Sequence, residues 1–121
     1  MSFFITILSF LLSLFINISL SYANSTNFFT PDWWKTATLE DVAKELANGT
    51  SVKERDEIGR TPLMYASWYN KNPEIITTLL KHGADAKAKS SEGKTALDYA
   101  KDNPKIYQTE AYWELNQVMY E

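Results

Sequence analysis

An all-α solenoid, short helix-turn-helix units stacked side by side with finger loops projecting between them, is the fold class this sequence predicts. Three observations carry that reading. GRTPLMYA at Gly59 to Ala66 and GKTALDYA at Gly93 to Ala100 share Gly, Thr, Leu, Tyr and Ala in one register, 34 residues apart; a period between about 20 and 50 residues marks a repeat architecture. Thr-Pro and Asn-Pro pairs recur at Thr30-Pro31, Thr61-Pro62 and Asn72-Pro73, and a capping side chain followed by proline at the first helical position opens a helix. The 121 residues contain no cysteine, so a domain this small must gain stability from regular stacking of short elements rather than from disulfides.

In chain order, residues 3–20 are almost wholly apolar or Ser/Thr and carry no charge, and Lys35 is the first basic side chain. Ser21-Tyr22-Ala23 then places small residues where a signal peptidase reads. The expectation is a signal peptide over 1–23, cleaved after Ala23, followed by a flexible mature N-terminus over 24–29 and a repeat domain over 30–121. Because no Lys or Arg precedes the apolar run, a membrane-tethered scaffold that retains residues 3–20 as an anchor is the alternative.

Thr30-Pro31 opens a stub helix through Trp33 and Trp34, of which Trp34 is the ring expected to cap the stack. Thr38 and Asp41 form a capping box, and Leu39, Val42, Ala43 and Leu46 form an apolar stripe at helical spacing. Thr61-Pro62 starts a helix to about Trp68, and the turn Asn70 to Asn72 leads into Pro73. There Ile75, Ile76, Leu79 and Leu80 share one buried face, and Gly83 supplies the left-handed stop. Thr95 with Asp98 starts the next helix, which buries Leu97 and Ala100 and ends at Asn103-Pro104. Thr109 caps the last, where Ala111, Tyr112 and Leu115 take the places of Ile75, Ile76 and Leu79. Asn116 replaces Leu80, the polar swap expected of a helix with no neighbour outside it.

With these residues in place, DEIGRTPLMYASWYNKNPEIITTLLKHGADAKAK, residues 56–89, resembles an ankyrin repeat along its whole length. Gly59, Thr61, Pro62, Leu63, Ala66, Leu79, Leu80, Gly83, Ala84 and Asp85 all lie on that family's pattern. SSEGKTALDYAK resembles the opening of a following repeat and LEDVAKELANGTSV the close of a preceding one. The resemblance divides the domain at about 30–55, 56–89 and 90–121. It departs at Met64 and Asp98, where the family often has His, and in a longer inter-helix turn ending at Pro73. Bacterial members resemble this variant, which implies a Gram-negative source and the periplasm.

Several function classes are excluded by residue type. A net charge of −3 without a basic block offers no footprint for nucleic acid or anionic lipid. His82 is the single histidine, and with no cysteine beside it no soft-ligand metal set forms; it reads as a structural residue before the Gly-Ala-Asp turn. Ser67, Ser90 and Ser91 have no histidine base in any pattern, and Glu40/Asp41 and Asp56/Glu57 read as helix-start or loop charges. No cofactor, metal or catalysis is therefore expected, and a small hydrolase stands only as a third reading.

The aromatics carry the positive signal. Trp68 and Tyr69 occupy positions where ankyrin proteins place exposed, variable residues of the inner helix, whereas Tyr65 and Tyr99, 34 apart, are explained by packing. Large rings left facing water are costly unless something covers them, and interface hot spots favour Trp, Tyr and Arg. Ile58 and Arg60, in the finger loop beside Trp68, complete the expected anchor patch, with Glu57, Glu92, Lys94 and Asp102 setting electrostatic register around it. Lys87, Lys89 and Lys94 form a solvated edge that could meet an acidic partner. The resemblance implies a folded protein as partner, bound by a monomeric, exported module that protects or inhibits it through its concave face.

Overall fold

The computed structural model describes residues 27–121, so both readings of residues 3–20 lie outside the described residues. After a single 3-10 turn at Asn27–Phe29 come six helices in three consecutive pairs: α1 (Pro31–Thr36) with α2 (Leu39–Ala47), α3 (Pro62–Tyr69) with α4 (Pro73–Lys81), and α5 (Ala96–Lys101) with α6 (Glu110–Tyr120). No strand occurs among the described residues, and none of their helices is long and apolar enough to cross a membrane. The first helices of the pairs pack side by side, α1 on α3 and α3 on α5, and the second helices pack as α2 on α4 and α4 on α6. Two layers result, with the loops between pairs projecting from them.

The helix starts follow from local chemistry. Thr38, Thr61 and Thr95 each accept a hydrogen bond from the backbone N–H three residues on, and the residue there reaches back to the cap N–H. In two boxes the returning group is a carboxylate, Asp41 or Asp98. In the third it is the Met64 thioether, 3.5 Å from the Thr61 nitrogen, a weaker acceptor in the place of the expected His. Pro31, Pro62 and Pro73 stand at or beside the first helical position, where their missing N–H costs nothing. Gly83 closes α4 with φ +88°, a backbone conformation that a Cβ would strain.

Sequence periodicity and burial agree along α4 and α6. Ile75, Ile76, Leu79 and Leu115 are fully buried, Ala111 and Tyr112 nearly so, while Leu80 and Asn116 are half-buried. Each fully buried large aliphatic side chain contributes about 1.5–3 kcal/mol of transfer free energy. The stripe on α2 is narrower than expected: Val42 is buried, Leu39 and Leu46 are half-buried, and Ala43 is exposed. Among the described residues, α2 packs within its layer on α4, and the rest of its stripe is less covered.

The start of the domain also departs from expectation. The segment read as flexible through residue 29 is ordered from Asn27, because Phe28 is fully buried against Trp34, their ring centroids 5.2 Å apart. The Trp34 indole N–H donates to the Phe28 carbonyl at 2.8 Å, satisfying its one donor in a dry site. Trp34 is thus the buried end-cap ring, and Trp33 stays half-buried against it, edge-on at 4.8 Å.

An amide ladder, invisible in the hydrophobic pattern, ties successive pairs together. The buried Asn70 side chain donates to the carbonyls of Trp34 (2.7 Å) and Ala37 (3.0 Å). Thirty-three residues on, the Asn103 side chain donates to Ser67 (3.0 Å) and Asn70 (2.8 Å). Each asparagine therefore satisfies the C-terminal carbonyls of the preceding first-layer helix, groups that have no intrahelical partner.

Candidate partner-binding face

Helix α3 is the middle member of its layer, with α1 on one side and α5 on the other. That position explains why Leu63, Met64, Tyr65, Ala66 and Ser67 are all buried and why the helix has no polar face. Its last turn is the exception. Trp68 keeps 37% of its surface exposed, and Tyr69 is half-buried.

Exposure does not leave Trp68 loose. Its ring stacks on Tyr69 and, across the repeat boundary, on Tyr99, at 4.8 Å in both cases. Tyr69 continues to Tyr65 at 6.1 Å, and Tyr65 meets Phe29 edge-on at 6.0 Å. A row of five rings, Phe29, Tyr65, Tyr69, Trp68 and Tyr99, thus runs across the first-helix layer. Cations flank it: Arg60 lies 4.7 Å over Tyr65, Lys94 5.6 Å over Tyr99 and Lys35 5.9 Å over Tyr69, all within cation–π range.

The finger that precedes α3 is organised by a residue the sequence analysis read as a plain loop charge. One Asp56 oxygen accepts from the backbone N–H groups of Ile58 (3.0 Å) and Arg60 (2.8 Å). The other accepts from Arg60 Nε and the Tyr65 hydroxyl, both at 2.8 Å. Burial by itself would raise the Asp56 pKa, but hydrogen bonds from the Arg60 backbone, the Tyr65 hydroxyl and the Arg60 guanidinium outweigh it and hold the carboxyl below its ordinary value. Tyr65 is pushed well above the usual phenol range by burial first and by its hydrogen bond to Asp56 second.

The residues expected in one anchor patch are only partly brought together. Glu57 is exposed at the finger tip and Ile58 keeps 37% of its surface in water. Arg60 instead turns into its own finger, paired with Asp56 and lying over Tyr65, so the cations met through the rings that stack on Trp68 are Lys35, over Tyr69, and Lys94 of the next finger, over Tyr99. Glu92 and Lys94 are exposed on that second finger, whereas Asp102 is exposed at the C-terminal cap of α5, the far end of that helix from the finger. Tyr99, Lys35 and Asp56 belong to the same face and were missed as part of it. The spacing of Tyr65 and Tyr99 announced packing, and nothing in it announced that the second ring would support Trp68.

Elsewhere the chemistry is sparse. The His82 Nδ1 lies 2.8 Å from the Thr78 carbonyl oxygen at the end of α4, a helix-terminal contact. Among the described residues no group of three or more His, Cys, Asp or Glu could hold a metal ion. A groove of about 600 Å³ on the second-helix layer is lined by Leu39, Pro73, Thr77, Thr109, Glu110 and Glu114 among others, with the Thr77 hydroxyl donating to the Glu114 carboxylate at 2.9 Å.

Residues 46–100 match the family model for ankyrin repeats in many copies. Over those residues, a little under half of the chain, it is similar to ankyrin repeats. It is 47% identical over 45 residues to an ankyrin repeat protein of fowlpox virus, covering 37% of this chain and 9% of that one. To an ankyrin and IPT/TIG repeat-containing protein of Schizosaccharomyces pombe it is 36% identical over 67 residues, 54% of this chain and 6% of that one. With an ankyrin repeat protein of Neisseria meningitidis it shares 35% over 63 residues, 51% of this chain and 24% of the other. The chain therefore spans no more than 24% of the length of these relatives. Ankyrin repeats, which these residues resemble, are protein-binding modules; the ringed face exposes Ile58 and Trp68, and Tyr107, Trp113 and Tyr120 are exposed around the last helix.

Proposed function

We propose that this chain is a non-catalytic binding module that works in the periplasm or outside the cell. It grips a folded partner protein through the first-helix layer and finger loops, and by covering the partner protects or inhibits it. The observation that carries the reading is Trp68, which keeps 37% of its surface in water while stacked on both Tyr69 and Tyr99. A ring held so firmly has little conformational freedom left to lose on binding, which makes it a low-cost anchor. Ile58 at the finger tip adds an exposed apolar contact, and Glu57, Glu92 and Lys94 supply charge at the rim.

The test is recovery of the partner from an extract of the source cell's envelope by wild type and by Trp68→Ala, followed by measurement of the partner's half-life or activity with and without the module. Retention by wild type and loss by the variant is the expected outcome. Equal recovery by both removes the docking face. Mass spectrometry of the exported protein separates the soluble module from the tethered scaffold: a chain beginning at Asn24 is expected, and a retained residue 3–20 segment sinks the periplasmic reading.

A further inference from the structure

The lysines of the second finger form no ion pair inside the described part of the molecule. Among the described residues the ion pairs are Asp32–Lys35, Asp56–Arg60 and Asp98–Lys101. Lys87, Lys89 and Lys94 are exposed and belong to none of them. Lys94 lies over the Tyr99 ring that supports Trp68, so a cation outside any ion pair, its charge felt by Asp98, shares one aromatic platform with the half-exposed indole. The Trp68 indole N–H has no acceptor among the described residues. At the Trp68–Tyr99 stack the indole N–H and the Lys94 ammonium are donors, while Glu92 is the exposed carboxylate of the same finger. Opposite sits the first finger, whose Arg60 charge is already met by Asp56 at 2.8 Å.

We infer that the docking face takes an acidic segment of its partner, laid along the Trp68–Tyr99 stack with a carboxylate at Lys94. The inference rests on the protein-binding reading and adds the chemistry of the bound segment. Charge complementarity carries it: a carboxylate beside Lys94 gains an ion pair without breaking one, whereas a basic segment laid along the stack would place its cation against Lys94. An apolar stem next to that carboxylate covers the ring of Trp68, and a carbonyl of the segment accepts from its indole N–H. A nucleic-acid strand fits less well. Glu57 and Glu92 are exposed on the two fingers and would oppose a continuous run of phosphates, whereas a peptide can place its carboxylates singly.

The experiment is selection of a phage-displayed library of random peptides, roughly a dozen residues long, on the immobilised full chain, followed by titration of the enriched peptides by fluorescence anisotropy. Enriched sequences are expected to be richer in Asp and Glu than the input. Their affinity is expected to fall about tenfold or more in Lys94→Glu, a fully surface substitution, and to fall steadily as salt is raised from ~50 to ~300 mM. Lys94→Gln should lose less than Lys94→Glu, since it removes attraction without adding repulsion. Neutral or basic sequences that still depend on Trp68 overturn the acidic-segment inference while sparing the docking face. Peptides indifferent to Trp68→Ala, in a variant whose circular dichroism is unchanged, overturn both, as does the absence of any enrichment. A single-stranded oligothymidylate binding more tightly than the peptides overturns the inference in favour of nucleic acid.

Discussion

At residues 56–60 and again at 90–94 the chain turns through the same hairpin. Asp56 N–H donates to the Arg60 carbonyl (3.0 Å) and Gly59 N–H to the Asp56 carbonyl (3.0 Å). Ser90 and Lys94 repeat the first contact and Gly93 with Ser90 the second, both at 2.9 Å. Gly59 and Gly93 hold φ of +74° and +75°. What differs is the side chain at the head of the turn. Asp56 gathers two backbone N–H groups, a guanidinium and a phenol, whereas Ser90 offers one long contact, 3.4 Å, to the Lys94 N–H. The Arg60 charge is consequently paired inside the first finger, whereas Lys94 of the second belongs to no ion pair and lies over the Tyr99 ring. Identical backbone, set by glycine and by the hairpin hydrogen bonds, is thus compatible with two different jobs.

Removing the hub should separate the two fingers most sharply. Asp56→Ala leaves Arg60 and the Tyr65 hydroxyl without their acceptor, and is expected to cost about 2–4 kcal/mol in urea unfolding, against under about 1 kcal/mol for Ser90→Ala. Equal losses would mean that the backbone alone holds both turns. The shared part of the comparison is probed by glycine. Gly59→Ala and Gly93→Ala are each expected to cost about 1–2 kcal/mol, and by similar amounts, because both positive-φ positions strain a Cβ in the same way.

Acid titration sharpens the difference in charge. The Asp56 carboxyl is held below its usual value of 3.8 in the fold, so its contribution is present above that pH and is lost as pH falls through the lower folded value. Thermal melts of wild type should therefore decline from about pH 4 downward, and Asp56→Asn should flatten that limb while lowering stability at neutral pH. A limb unchanged by Asp56→Asn would assign acid sensitivity elsewhere. The smallest effect is the transplant: Ser90→Asp should pair with Lys94 and raise stability by about 0.5 kcal/mol, and in doing so reduce the binding of any acidic peptide. If stability rises and peptide binding does not fall, Lys94 is not the free cation of the face.

Legibility followed the range of the interaction. Helix starts at Thr38, Thr61 and Thr95 and the buried set Ile75, Ile76 and Leu79 were readable, because a cap spans three residues and an amphipathic stripe spans one helix. Exposure of Ala43 was not, since it depends on which helices pack beside α2, among the described residues α4 in its layer. Phe28 escaped for a related reason: two adjacent phenylalanines after a polar run carry no helical period, and the burial of Phe28 is decided by the Trp34 ring it meets. Of the anchor patch, the exposure of Ile58 and Trp68 was visible in the sequence, while the turn of Arg60 into Asp56 was not.

By itself the sequence determined the helical hairpins, their caps and the glycine turns between them, because those features arise from contacts within a few residues and from a period that the chain states twice. The tertiary structure alone decided which of the exposed groups are already satisfied. Stacking brings Tyr99 beneath Trp68, and folding the finger back brings Asp56 onto Arg60 and Tyr65. A side chain's remaining capacity to bind depends on which neighbours have consumed it, and no local pattern of residues encodes that count.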